Sequence, residues 1–173
     1  MSEQPPISVL FVCLGNICRS PLAEGVFRAV VDERGEGARY VIDSAGTGGW
    51  HAGSAPDPRS IKVARQHGVD IAGQVCRQIA DADFSRFDLI FAMDRSNLDD
   101  LRARSTPRDR SRIYLFLDYA HGAPGEVPDP YYGGPNGFQD VYGMIRAASE
   151  AVAERLARAP AAGAASGHAS SMT

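Results

Sequence analysis

The chain has 173 residues, the usual size of one domain, with 18 Lys and Arg against 21 Asp and Glu and a formal net charge of −3. That balance excludes the basic footprint of a nucleic-acid-binding protein, and 44% hydrophobic residues with mixed charge exclude a mostly disordered chain. No stretch approaches the ~20 apolar residues of a membrane span, and the polar start MSEQPP lacks the pattern of a secretory leader. The cysteines are Cys13, Cys18 and Cys76, an odd number with no CxxC pair, and there is no HExxH. A reduced, cytoplasmic protein is expected, with no metal and no cofactor.

The apolar, β-branched run Ile7–Val12 predicts a strand buried on both faces of a parallel sheet. Ser20 and Pro21 read as the N-cap and first position of a helix carrying Leu22, Ala23, Val26, Phe27 and Val30 on one face. Gly35 and Gly37 end it. A short strand at Tyr40–Ile42 leads into the small-residue loop DSAGTGGWH, and Pro58–Gln66 predicts a helix. Phe87–Met93 and Ile113–Leu117 predict the third and fourth strands, separated by a polar helix over Asp94–Arg104. A long Pro- and Gly-rich loop, His121–Pro135, holds DPYYGG. The last helix carries Phe138, Val141, Tyr142, Ile145, Ala148, Val152 and Leu156 on one face, and Asn136 with Gln139 suggests a capping box. Residues 1–159 are read as one domain and 160–173, rich in Ala, Gly and Ser, as a disordered tail. Alternating strands and helices predict an α/β fold in three layers, a four-stranded parallel sheet flanked by helices, Rossmann-like.

Ligands of such sheets bind at the C-terminal ends of strands. There the sequence reads VCLGNICRS, with Cys13, five residues, then Arg19 and Ser20. A thiol, a run of backbone N–H groups, a planar guanidinium and a helix N-terminus make a basket for a tetrahedral oxyanion. Electropositive surroundings of this kind lower a cysteine pKa from ~8.5 to ~3.5–7.5, which makes a nucleophile. Leu14, Gly15, Asn16, Ile17, Cys18 and Ser20 complete the phosphate-binding loop. Gly15 is expected to supply the unusual backbone angles and Asn16 to tolerate a left-handed one. Ser20 could cap the helix, donate its hydroxyl to the thiolate, or both. The stretch Gly46–Gly49 is a poor dinucleotide signal, and no GxxxxGK[ST] loop is present.

These motifs resemble the low molecular weight protein tyrosine phosphatases. VCLGNICRSPLAE, DSAGTGGWH, MDRSN and DPYYGG occur in that family's order, and the likeness runs from about Ile7 to the last helix. The resemblance implies Cys13 as nucleophile, Arg19 as phosphate ligand and Asp129 as general acid and base. Pro128 and Pro130 hold Asp129 in extended backbone, although taken alone it also reads as a turn residue. Asn16 and Ser44 would support the loop. Trp50, Tyr131 and Tyr132 would wall a phenyl ring, or else anchor and pack their loops. The implied substrate is a phosphotyrosine-containing protein, with no nucleic acid or membrane partner, and the implied assembly a monomer or weak dimer. Cys18 either pairs reversibly with Cys13, as in the family, or packs under the loop, and Cys76 reads as a buried small residue. Many family members carry a histidine three residues before the Arg77-Gln78 pair, where this chain has Gln74. Three other functions share parts of the pattern. A protein-arginine phosphatase would carry threonine where Ile17 stands. An arsenate reductase would need further cysteines. A non-catalytic phosphate-binding module would lack Cys13, Arg19 or Asp129.

Overall fold

The computed structural model describes residues 5–131, 133–134 and 136–158. Tyr132 and the expected 160–173 tail lie outside the described residues. In chain order the elements are β1 (Ile7–Cys13), α1 (Arg19–Glu33), a 3-10 turn at Gly37–Arg39, β2 (Tyr40–Gly46), α2 (Pro58–Gln66) and α3 (Asp83–Arg86). They continue with β3 (Leu89–Ala92), α4 (Arg95–Arg104), α5 (Pro107–Arg110), β4 (Ile113–Leu115), α6 (Phe116–His121) and α7 (Gly137–Arg158). The four strands form one wholly parallel sheet in the order β2-β1-β3-β4.

The two-residue period of β1 divides the core. Val9, Phe11 and Cys13 join the larger cluster, where residues of α1, α2, α6 and α7 pack. Leu10 and Val12 join the smaller one with Phe84 of α3 and Leu98 and Leu101 of α4. Helices therefore cover both faces of the sheet, giving the expected three layers. Phe11 anchors the larger side, its ring centroid 5.2 Å from that of Phe116 and 5.7 Å from those of Phe27 and Phe91.

Several element boundaries differ from the sequence reading. Helix α1 begins at Arg19, with Cys18 at the capping position and no side-chain cap, so Ser20 is not the N-cap. Its hydroxyl turns inward instead. β2 runs on to Gly46, because pairing with β1 holds Asp43–Gly46 in register despite their poor strand propensity. β3 is shorter than expected, since Phe87 closes α3. Phe116 and Leu117 start a helix instead of prolonging β4, for an apolar run alone does not separate a buried strand from a buried helix. The side chain of Gln139, expected in a capping box with Asn136, bonds Gln66 and lies 3.5 Å from His67, tying α7 to α2.

The sheet order places β1 between β2 and β3. Chain reversal at β1 makes its C-terminal end the topological switch point, and Cys13 is its last residue.

Candidate active site

Cys13 is buried at 2% exposure and its Sγ lies 3.1 Å from the Ser20 Oγ. That oxygen already accepts a hydrogen bond of 2.8 Å from the Asn16 amide. Once Cys13 is a thiolate, only the serine can donate between the two, so the hydroxyl proton turns to the sulfur.

The loop between them is shaped by its carbonyls. The Leu14 carbonyl accepts from Gly48 N–H, the Ile17 carbonyl from Asp57 N–H, the Asn16 carbonyl from the Cys76 thiol and the Cys18 carbonyl from the Ser60 hydroxyl. Every one of those partners lies outside the loop. Among the described residues, none of the backbone N–H groups of Gly15, Asn16, Ile17 and Cys18 donates to a protein acceptor. Four consecutive donors are thus left for an anion, next to the N-terminus of α1.

Asn16 is the pivot. It has φ 58°, the left-handed region that asparagine tolerates best after glycine. Its Nδ2 donates to Ser20 and, at 3.1 Å, to Ser44, and its Oδ1 accepts from the Arg77 N–H at 2.9 Å. Gly15 does not take a left-handed angle, contrary to expectation. Its constraint is space: a Cβ there would stand 3.1 Å from the His51 ring. Gly46 is required for the same reason, since a Cβ would come within 2.8 Å of the Leu14 carbonyl oxygen. Ser44 donates in turn to Glu24 at 2.6 Å. Burial raises the Glu24 pKa above its ordinary value, against the opposing pull of Ser44 and Arg28. Gln74 stands outside this hydrogen-bond network. Its amide donates to the Pro21 carbonyl at 3.0 Å, bracing the first turn of α1.

Arg19 is 2% exposed. Its Nη1 donates to Asp94 Oδ2 at 2.6 Å and to the Val127 carbonyl at 3.0 Å, while Nη2 stands 3.6 Å from Asp129 Oδ2. Among the described residues all its hydrogen bonds leave from Nη1, so the Nε–Nη2 edge keeps its donors for a ligand. Burial works against the charge, but Cys13, Asp94 and Asp129 outweigh it and raise the pKa, so the guanidinium stays ionised.

Asp129 lies in the loop before α7, its side chain 42% exposed, with Oδ1 accepting from the Tyr131 N–H at 3.0 Å. Leu14, Trp50 and Tyr131 are large apolar side chains exposed on loops, at 42%, 71% and 36%. Ile17 is half-buried against the larger core. Cys18 is a buried free thiol. Burial first, then the charge of Asp57, push its pKa up to about 12. Cys76 is likewise a buried free thiol.

Residues 8–162 match the family described as low molecular weight phosphotyrosine protein phosphatase. A protein of that name from Schizosaccharomyces pombe is 49% identical over 138 residues, covering 79% of this chain and 88% of the relative. The chain belongs to the low molecular weight protein tyrosine phosphatase family. The phosphatase also superposes on the crystal structure of YfkJ from Bacillus subtilis with a TM-score of 0.85 at 39% identity, over 91% of this chain and 98% of YfkJ. Likeness to the Bacillus subtilis YwlE structure, at 22% identity and a TM-score of 0.81, concerns the fold alone.

Four residues of the phosphatase site escaped the sequence reading. Asp94 joins Arg19 to α4, because its Oδ1 also accepts from Asn97 N–H in a capping box. Glu24 supports Ser44. Asp57 caps α2 through the Arg59 N–H at 2.8 Å, and Arg59 grips Asp57 in return. The available signals were local: an Asp before a helix at the end of β3 and an Asp-Pro before α2 both read as caps. Neither signal names the distant partner.

Proposed function

We propose that the phosphatase hydrolyses phosphotyrosine in protein substrates through a phosphocysteine intermediate and without a metal. The reading is carried by the Cys13 loop, whose carbonyls bond to neighbouring segments and whose N–H groups have no protein acceptor among the described residues, around a buried thiol. The phosphate dianion sits among those N–H groups and the Nε–Nη2 edge of Arg19, which also offsets the equatorial charge of the transition state. The Cys13 thiolate attacks phosphorus as the bond to the phenol oxygen breaks, and Asp129 gives that oxygen its proton. Water then attacks the phosphocysteine, Asp129 takes the proton, and the S–P bond breaks to return the thiolate and release inorganic phosphate. Ser20 stabilises the sulfur as it leaves.

Leu14, Trp50 and Tyr131 supply exposed apolar surface for a phenyl ring, and a phosphoserine is too short to reach a thiol at 2% exposure. Ile17 offers no hydroxyl toward a phosphoramidate, which favours the tyrosine ester. Cys18 lies in the same loop and is the candidate resolving thiol: peroxide oxidises Cys13 to the sulfenic acid, and Cys18, once it gives up its proton, attacks that sulfur and displaces water to close a disulfide, a step that its high pKa slows.

Turnover of p-nitrophenyl phosphate in EDTA with reductant tests the reading. Wild type is expected to turn over and Cys13→Ser to lose about 10⁴-fold or more in kcat. An inactive wild type, or activity that survives the substitution, overturns it.

A further inference from the structure

The carboxyl group of Asp129 belongs to an exposed loop, yet its position is fixed from two sides. One is the Arg19 ion pair at 3.6 Å. The other is a relay that begins in the Cys13 loop. The Ile17 carbonyl accepts from the Asp57 N–H at 2.8 Å, and Asp57 is buried. Both Asp57 oxygens take the Arg59 fork, Oδ1 from Nε at 3.0 Å and Oδ2 from Nη2 at 2.9 Å. The remaining nitrogen of Arg59, Nη1, donates to the Tyr131 carbonyl at 3.1 Å. Its Cζ lies 5.0 Å from the Tyr131 ring centre and 4.7 Å from that of Phe138. The Tyr131 N–H closes the relay on Asp129.

We propose that Arg59 is a positioning residue for the general acid: it holds Tyr131 against the Cys13-loop side of the molecule, so that the Asp129–Tyr131 turn aims the carboxyl at the leaving oxygen. The proposal rests on Asp129 being that acid. Arg59 does not touch the reacting atoms. All three guanidinium nitrogens are engaged, two on Asp57 and one on Tyr131, while the cation lies within 5.0 Å of two ring centres. A lysine ammonium can pair with Asp57 but cannot hold both oxygens, reach the Tyr131 carbonyl and stack at once. Asp57 fixes the guanidinium end, so the Tyr131 carbonyl is tied to the position of a buried residue. The Asp57 carboxyl is held below its ordinary pKa. Burial opposes this, but the side-chain and backbone hydrogen bonds of Arg59 and its charge prevail, so the fork stays ionic.

The test is the dependence of kcat/KM on leaving-group acidity, measured with aryl phosphates from p-nitrophenyl to phenyl. A working acid neutralises the departing phenolate and flattens the dependence; without it, poor leaving groups suffer most. Four full-length proteins are compared: wild type, Asp129→Ala, Arg59→Ala and Arg59→Lys. Asp129→Ala is expected to give a steep dependence. Arg59→Ala is expected to lose about 10- to 100-fold on phenyl phosphate and much less on p-nitrophenyl phosphate. Arg59→Lys is expected to fall between Arg59→Ala and wild type, and it keeps the proposal testable should the alanine variant not fold. A uniform loss across the series at the wild-type slope, in either Arg59 variant, overturns the proposal. A shallow slope in Asp129→Ala overturns the acid assignment itself, and the proposal with it.

Discussion

The two loops that meet over Cys13 are built in opposite ways. The Cys13 loop is sunk between β1 and α1. Asn16 is 2% exposed, and its side chain alone makes three hydrogen bonds to three different segments. The segment behind it is pinned too, as Arg77 bridges Asp43 and Asp83 with bonds of 2.9–3.3 Å. The acid loop, by contrast, lies on the surface. Among the described residues, Asp129 is held by the Tyr131 N–H and by the charge of Arg19. On the mechanism proposed above, the difference follows from the chemistry asked of each. Binding a dianion and its transition state needs donors that do not reorganise. Delivering a proton to one leaving group and taking it from water later needs a carboxyl that solvent and substrate can both reach.

The sharpest way to break this comparison is at Asp94. Asp94→Ala leaves Arg19 buried beside one fewer carboxylate and removes the α4 cap. It is expected to cost about 3–5 kcal/mol in urea unfolding, together with most of the activity. A loss below about 1 kcal/mol would mean that the buried loop is not wired as the geometry implies. Next come matched truncations on the two loops. Asn16→Ala is expected to cost about 2–3 kcal/mol, since it leaves Ser44 and the Arg77 N–H without their partner. Tyr131→Ala is expected to cost about 1 kcal/mol or less, the worth of an exposed cation–π contact. Equal losses would erase the distinction. The smallest effect is at Glu24. Its folded pKa is raised above the ordinary 4.5, so the folded state holds that proton more tightly. The contribution of Glu24 to stability is therefore greatest below the unfolded value and falls as pH rises through the folded one. Glu24→Gln carries no such titration. Its melting temperature relative to wild type is expected to climb by a few degrees between about pH 4 and 7, and a flat difference would contradict the shift.

The sequence was most legible where function and structure are local. Ile7–Val12 reads as a strand because a strand buried on both faces needs nothing but apolar residues. The Cys13 loop reads as an anion site because its parts are contiguous. Strand ends were less legible: Asp43–Gly46 is a strand only because β1 lies beside it. Partnerships across the chain were not legible at all. Arg19 and Asp94 are 75 residues apart, and nothing in either stretch names the other. Asp129 stands between the two cases. Flanking prolines mark it as extended, but only the family resemblance gives it a task. Of the two roles open to Ser20, the structure shows the contact with the Cys13 thiol and not the cap.

The donors at Gly15–Cys18 belong to the main chain, and the main chain has no genetic alphabet. A scan that replaces the side chains of Gly15 or Ile17 one by one can find what bends the loop but never what holds the anion. Sequence drift is likewise blind to those donors as long as the path survives. Replacing one peptide link of the loop by an ester would remove a single donor while leaving every side chain in place, an edit that no codon can write.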